Sequence, residues 1–233
     1  MKFKVYNELF EKIPDMCFGA VVAYNIDNKG NNEEITEILQ NESKALKEKL
    51  EGCNLKEYEW IIPYREAFIN LNINPNKFMS SIEAMSKRVQ KGNELPSINP
   101  VVDLVNVISL RYVLPLGAHD MDALKDEISV RFAVKGDSFI PLGTEELEEV
   151  DPGELIYADS KRVRTRRWIW RQSEIGKITE NSKNIFFPID GFSLKNKENV
   201  IKASEELSNL LRKYFNCETK VFFVDKNLNE VEL

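Results

Sequence analysis

The sequence predicts an α+β fold with helices in the first half of the chain and a sheet-rich second half. Two observations lead to this prediction. In the first half, apolar residues recur at intervals of three and four over long segments, as amphipathic helices require. After His119, short apolar segments alternate with turn residues, as strands do. No internal repeat or low-complexity linker interrupts the 233 residues, so we expect one domain over 1–233.

Four amphipathic helices are predicted from the periodicity and the flanking residues. The clearest has charged residues between Ile35, Leu39 and Leu46 and ends near Gly52. Another opens at Asn74-Pro75 and ends in a basic turn, which suits the negative end of a helix. The four predicted segments are 33–50, 63–71, 74–92 and 197–215.

A fifth helix is predicted at the centre of the chain. Asn99 can cap it, Pro100 suits its first turn, and 101–110 is almost entirely apolar, so most of its surface should be buried. Asp103, Asn106 and Ser109 are the exceptions and form one narrow polar stripe. Buried polar groups cost free energy unless they are hydrogen-bonded. The stripe therefore either fastens neighbouring backbone or lines a pocket, with Asp103 as a candidate catalytic residue.

Eight short strands complete the prediction. One of them, CFGAVVAY, is a continuous apolar run and suits a buried position. The predicted strands are 3–10, 18–25, 128–134, 138–141, 154–158, 162–170, 184–189 and 219–224.

Composition excludes several classes of protein and site. No apolar run approaches the roughly 20 residues of a membrane span, and the N-terminus lacks a signal-peptide pattern. Three cysteines lie far apart and in no metal-ligand spacing, as expected of reduced thiols in a cytoplasmic protein. No P-loop, dinucleotide fingerprint or nucleophile elbow is present. We therefore expect no cofactor, no metal and no membrane partner.

The only histidine lies in a predicted tight turn. This turn contains Pro115 and Gly117 and ends in His119-Asp120. A histidine beside an aspartate either makes a structural hydrogen bond or acts in catalysis, and the residues alone leave both open. We take His119 as a candidate catalytic residue and Gly117 and Asp120 as candidate pocket residues.

Basic residues are concentrated in one predicted strand. The net charge of −6 does not by itself suggest a nucleic-acid-binding protein, and we expect no DNA partner. In an extended strand, Arg164, Arg166, Trp168 and Trp170 alternate onto one side. Guanidinium groups hold phosphates and indole rings stack on bases, so the strand is a candidate RNA-binding surface. Alternatively, its arginines pair with the acidic residues of 145–154 and its tryptophans are core. The candidate RNA-binding residues are Arg162, Arg164, Arg166, Arg167, Trp168 and Trp170.

An ordered series of short motifs resembles one known family. It includes Leu95-Pro96, Val102-Asp103 and Asn106, then Pro115 and Asp120, and it continues through ISVRFA, PLGT, LIYAD and the segment 179–187. These motifs are similar to the B3/B4 domain of the phenylalanyl-tRNA synthetase beta subunit. The segments YREAF and WIWRQS are closer still to free-standing proteins made of this domain alone. The resemblance covers roughly residues 80–190.

This resemblance implies a mixed β layer flanked by helices and an editing module, which in the bacterial synthetase hydrolyses tyrosine wrongly attached to the tRNA for phenylalanine. It also implies a pocket between a Pro-x-His-Ala-Phe-Asp motif and a strand that ends in glutamate. Here Gly117 stands in place of the family histidine, and Pro188 in place of the glutamate. His119 is two residues from Gly117 and can point to the same side. Arg171 falls where the family has small residues and can hold a carboxylate or a phosphate.

The resulting hypothesis is a stand-alone domain that binds tRNA or aminoacyl-tRNA and hydrolyses mischarged esters in trans. Two alternatives stay open: a non-catalytic module that binds an amino acid or the tRNA end, and a structural protein whose polar residues pair internally. Aminoacylation is not implied, because nothing in the sequence resembles a catalytic synthetase subunit.

Overall fold

Six α-helices account for the amphipathic and buried helical segments of the chain. The computed structural model describes residues 1–233. The helices are α1 (Asn7–Lys12), α2 (Glu33–Lys49), α3 (Ile62–Asn70), α4 (Ser81–Gln90), α5 (Pro100–Tyr112) and α6 (Lys197–Phe215). Single 3₁₀ turns lie at Leu55–Glu57 and Met121–Ala123.

Twelve strands form three sheets. They are β1 (Lys2–Val5), β2 (Met16–Tyr24), β3 (His119–Asp120), β4 (Glu127–Phe132), β5 (Ser138–Phe139), β6 (Glu148–Glu149), β7 (Leu155–Ala158), β8 (Val163–Arg166), β9 (Arg171–Gln172), β10 (Ile185–Phe192), β11 (Glu218–Val224) and β12 (Glu230–Glu232). A six-stranded sheet has the order β12-β1-β4-β7-β8-β9, a four-stranded sheet has the order β11-β2-β10-β3, and β5 pairs with β6. The β1–β4 pair is parallel and the others are antiparallel, so the α+β class with a mixed β layer is confirmed.

The two larger sheets face each other across a shared apolar core. The ring of Phe3 on β1 lies 5.8 Å from that of Phe18 on β2 and 4.9 Å from that of Phe186 on β10. Helix α6 covers the other face of the four-stranded sheet, and α5 packs between α2 and α6. The central helix is therefore buried as predicted, because α2, α4 and α6 pack against it.

Two predicted segments near the N-terminus need correction. The predicted strand 3–10 ends at Val5, and Asn7–Lys12 is a helix. Pairing of β1 with both β4 and β12 determines where the strand ends, and this long-range pairing leaves no local pattern. The helix predicted from Asn74-Pro75 begins instead at Ser81, where the Ser80 side chain accepts a hydrogen bond from the backbone N–H of Glu83.

The close approach of α6 to β2 predicts the effect of one added methyl group. A Cβ at Gly19 would overlap Ser204 Oγ and lie 3.2 Å from Val200 Cγ1. We expect Gly19→Ala to lower the free energy of unfolding by about 1–3 kcal/mol, because the packed helix must shift. Urea unfolding of Gly19→Ala, Ser204→Ala and the double variant measures the coupling. The double variant should lose less than the sum of the two single losses, and additive losses would show that the two sites are not in contact.

Candidate functional site

Strand β10 and the segment 115–120 form one wall of the candidate site. His119 pairs with Phe186 and Asp120 with Ile185, while Leu116 forms an isolated bridge with Ile189. This pairing leaves Phe186, Pro188 and Asp190 on the face of β10 that meets the six-stranded sheet, because alternate residues of a strand share a face.

A cleft of about 160 Å³ lies between this wall and the six-stranded sheet. Its volume is below the roughly 300–1,000 Å³ of pockets for drug-sized ligands, so it suits a group of amino-acid size. The residues that line it are Ser81, Pro115, Leu116, Gly117, His119, Tyr157, Thr165, Trp168, Ile169, Trp170, Arg171, Gln172, Pro188 and Asp190. The predicted pocket residues His119, Gly117 and Arg171 are thus brought together.

Gly117 and Pro188 are in contact, so the two departures from the family pattern occur together in space. The Gly117 N–H donates to the Pro188 carbonyl over 3.0 Å, and a Cβ on Gly117 would lie 3.3 Å from Pro188 Cγ. Any larger side chain at 117 would press against the proline ring. A histidine at this position would therefore require the Pro188 ring to move by a few tenths of an ångström.

Asp190 is a cleft residue that the sequence analysis missed. Its Oδ1 accepts hydrogen bonds from Tyr157 Oη at 2.7 Å and from Trp168 Nε1 at 2.6 Å. Burial raises the pKa of Asp190 to about 7, although both hydrogen bonds act to lower it. An acid inside the apolar run IFFPIDGF could have indicated this residue. The predicted strand ends at residue 189 and so leaves Asp190 out.

A strained turn brings the Trp168 indole to this carboxylate. The predicted strand 162–170 ends at Arg166, because Arg167 and Trp168 both have left-handed backbone, with φ of 45° and 61°. Glu154 Oε1 accepts from the Arg167 N–H at 3.0 Å, and the Trp168 N–H donates to the Leu155 carbonyl at 2.6 Å. The prediction that Arg164, Arg166, Trp168 and Trp170 share one side of a strand is therefore wrong.

His119 lies in the cleft wall with its ring stacked on Tyr157 at 5.7 Å and near Phe186 at 6.4 Å. Nε2 is 3.6 Å from the position that a Gly117 Cβ would occupy, so this nitrogen faces the glycine. Burial and the nearby Arg164 cation lower the pKa of His119 to about 3. The imidazole is therefore neutral at pH 7, and one of its nitrogens can accept a hydrogen bond.

Three of the six predicted RNA-binding residues pair with acids inside the protein. Arg164 is buried in an ion pair with Asp159, and Arg166 pairs with Glu148 and Glu154. Arg167 lies 3.4 Å from Glu154, and its guanidinium lies 4.0 Å from the centre of the Phe78 ring. Trp168 is fully buried. The structure thus corrects the RNA-binding role of Arg164, Arg166 and Trp168, because an RNA cannot reach their side chains.

Of the predicted RNA-binding residues, Arg162, Arg167 and Trp170 stay partly exposed, as does the predicted pocket residue Arg171. Arg162 donates to Ser138 Oγ at 2.7 Å, and Trp170 packs edge-on against Phe78. Arg171 forms no ion pair and lies 5.9 Å from the centre of the Trp170 ring. It is the one cleft cation available to a ligand anion.

The polar stripe of α5 does not reach the cleft. Asp103 accepts hydrogen bonds from the Ile98 N–H and from Ser97 Oγ, and Ser109 donates to the Leu114 carbonyl. The catalytic role predicted for Asp103 and the pocket roles of Asn106 and Ser109 are therefore corrected, because none of them lines the site. Asp120 also lies outside it, where it caps the 3₁₀ turn Met121–Ala123 and accepts from Ser182.

The structure shows no group of three or more histidine, cysteine or acidic side chains able to hold a metal ion. No helix is both long enough and apolar enough to cross a bilayer.

Comparison with known families gives one match over most of the chain. The model described as "B3/4 domain" matches residues 63–219. Three curated relatives are phenylalanine–tRNA ligase beta subunits: from Aquifex aeolicus, 37% identical over 113 residues; from Idiomarina loihiensis, 35% over 102; and from Fusobacterium nucleatum, 30% over 141. They match 48%, 44% and 60% of this chain, which spans only 14%, 12% and 16% of their lengths.

One solved structure covers nearly the whole chain. It is an N-terminal fragment of the phenylalanyl-tRNA synthetase beta subunit from Pyrococcus horikoshii, with a TM-score of 0.47 and 14% identity. The match extends over 93% of this chain and 50% of that one.

The raised pKa of Asp190 predicts how stability changes with pH. Its folded-state pKa of about 7 exceeds the ordinary value of 3.8, so between these values the folded state binds more protons and stability falls as pH rises. Relative to Asp190→Asn, the wild type should lose on the order of 2–3 kcal/mol between pH 5 and pH 8. Urea unfolding of both proteins at four pH values measures this difference.

Asp137→Asn is the matched control. Burial alone would raise the pKa of Asp137, but hydrogen bonds from Arg131 and the Val134 backbone outweigh it and hold this pKa below its ordinary value. The stability difference for this variant should therefore stay constant from pH 5 to pH 8. A constant difference for Asp190→Asn as well would contradict the raised pKa.

Proposed function

The chain belongs to the B3/4 domain family, and on that premise we propose that it binds the aminoacylated 3′ end of a tRNA in the cleft beside β10. The observation that carries the proposal is the cleft itself. The segment 115–120 and β10, where the motifs of the family lie, form one wall of a cavity of amino-acid size. The curated relatives named above are beta subunits of a tRNA ligase, which supports a tRNA-related ligand.

Arg171 is the residue that we expect to contact RNA phosphate. It lines the cleft, is partly exposed and has no acidic partner in the protein. A guanidinium can hold a phosphate through two parallel hydrogen bonds. Trp170 beside it is partly exposed, and Arg162, directly before β8, adds a second cation. Together they would position the terminal nucleotides outside the cleft, and the aminoacyl group would enter it.

Ester hydrolysis in trans is the second candidate function, and His119 favours it. Its imidazole faces Gly117 in the cleft wall, where Nε2 can orient an attacking water through a hydrogen bond. Its lowered pKa makes it a weak base, so this positioning, and not proton abstraction, is the role that the geometry supports. Binding without hydrolysis is favoured by Gly117 and Pro188, which supply no side-chain donor for the developing oxyanion.

Arg171→Ala should weaken binding of aminoacylated tRNA by at least about tenfold, because one charge-assisted contact is lost. Filter binding over a range of salt concentrations measures this effect, and the slope against salt should become shallower. Arg212→Ala is the control, because Arg212 lies on α6, on the far side of the four-stranded sheet. Equal affinities for wild type and Arg171→Ala would overturn the proposed contact.

A panel of mischarged tRNAs tests hydrolysis. If the protein is a deacylase, wild type should release one amino acid faster than buffer does, and His119→Gln should lose this rate while it still binds tRNA. If every ester decays at its spontaneous rate in the presence of bound wild type, hydrolysis is excluded and the binding function stands. Failure to bind any charged tRNA would overturn both.

The contact between Gly117 and Pro188 predicts a further result. Gly117→His alone should lower stability, because its Cβ would lie 3.3 Å from the proline ring. Gly117→His with Pro188→Glu removes the ring and restores both polar side chains that the family resemblance implies. We expect the double variant to hydrolyse tyrosyl-tRNA at least about tenfold faster than wild type. An inactive but folded double variant would show that these two positions do not control the reaction.

A further inference from the structure

We propose that Asp190 recognises a primary ammonium group of the ligand through its Oδ2 atom. This inference rests on the proposed function, since it assigns the α-amino group of the aminoacyl moiety to the floor of the same cleft. The supporting observations are the hydrogen bonds of the carboxylate, its burial and the charges around it.

The two carboxylate oxygens have different surroundings. Oδ1 accepts from both Tyr157 Oη and Trp168 Nε1, and these two bonds fix the orientation of the carboxyl group. Oδ2 accepts no hydrogen bond from the protein, although the residue is only 2% exposed and lines the cleft. Oδ2 is not fully enclosed and opens into the cleft, where a donor from a ligand can reach it.

No cation of the protein compensates this carboxylate. Asp190 forms no ion pair, and the buried Arg164 is held by Asp159 instead. His119, which lies in the same cleft, is uncharged because its pKa is lowered. Arg171 is the remaining cation that lines the cleft, and it is far more exposed than Asp190. A positively charged donor from a ligand would therefore satisfy both the missing hydrogen bond and the missing charge.

The arrangement of charge also gives the ligand a direction. A group that carries a carboxylate or phosphate is repelled by Asp190 and attracted by Arg171. An ammonium has the opposite preference. A ligand with its ammonium beside Asp190 and its anionic part near Arg171 is thus favoured, whether it is a free amino acid or the aminoacylated end of an RNA.

The indole N–H of Trp168 offers a direct measurement on the unmodified protein. The chain has three tryptophans, so an ¹H–¹⁵N spectrum shows three indole signals, which Trp60→Phe and Trp170→Phe assign by elimination. The probes are the amides of alanine, valine and phenylalanine and their N-acetyl derivatives, which lack only the ammonium. We expect at least one free amine to shift the Trp168 signal, because the hydrogen bond from the indole to Oδ1 responds to a charge beside Oδ2. The N-acetyl derivative of the same amine should leave the signal unchanged.

Asp190→Asn provides the second test. It keeps an oxygen to accept from Tyr157 and Trp168 but replaces the free acceptor with a donor that repels an ammonium. Affinity for the free amine should fall by at least about tenfold. Asp27→Asn removes the same charge at an exposed position without an ion pair and serves as the control. If Asp190→Asn does not fold, comparing the binding of each amine and its N-acetyl derivative to the wild type still shows whether the site recognises an ammonium group.

Each outcome bears on either this inference or the proposed function. Equal binding of amines and N-acetyl derivatives, or no binding of any amine at 10 mM (a ceiling of roughly −2.7 kcal/mol), would overturn the role of Asp190.

A short RNA ending in CCA with a 3′-aminoacylamino group, tested with and without N-acetylation, separates the two sources of ammonium. If the small amines bind through Asp190 but this RNA does not, the inference survives with a free amine as ligand and the tRNA function fails. If the RNA binds equally well with and without its ammonium, the tRNA function survives and this inference fails.

Discussion

The buried carboxyl group of Asp190 is the interaction on which the site depends. Its side chain joins β10 to Tyr157 on β7 and to Trp168 in the turn after β8. Its backbone carbonyl accepts from Tyr64 Oη on α3 at 2.9 Å, and Asn196 at the start of α6 donates to the same hydroxyl at 3.0 Å. Elements from both sheets and two helices therefore meet at one residue. Any displacement of this carboxyl group moves the cleft floor and the strained turn together.

Two buried titratable groups in the same cleft give stability opposite dependences on pH. His119 has a folded-state pKa of about 3 against an ordinary 6.5, so the unfolded state binds more protons between these values and its contribution rises with pH. Asp190 has a pKa raised from 3.8 to about 7, so its contribution to stability falls as pH rises over nearly the same range. From pH 3.8 to 6.5 the two slopes offset each other. The cleft thus contains a neutral histidine and an aspartic acid with a raised pKa, and together they change the free energy of unfolding little in that interval.

The features of this protein that can be predicted from sequence are those encoded by neighbouring residues, and the features that depend on distant residues cannot. The helices predicted over 33–50 and 197–215 agree with the structure to within one residue at each end, because amphipathic spacing records which face is buried. The strand after Arg162 was too long, since the left-handed turn at Arg167 and Trp168 uses no glycine and is held by Glu154 and Leu155. In the site, His119, Gly117 and Arg171 were found from one segment and a family resemblance. Asp190 was missed because its partners, Tyr157 and Trp168, lie 33 and 22 residues earlier in the chain.

The position of β10 late in the chain has a consequence for biosynthesis. The segment 115–120 forms its sheet only by pairing with β10, and the hydroxyl of Tyr64 is completed by Asn196. A nascent chain that has reached residue 180 already contains every arginine and tryptophan of the cleft, yet it has no floor beneath them. Domains emerge from the ribosome with the N-terminal part first, so the apolar face of the segment 115–120 stays uncovered until its partner strand β10 has been made. Occupancy of the cleft by a ligand therefore marks a chain whose synthesis has passed β10.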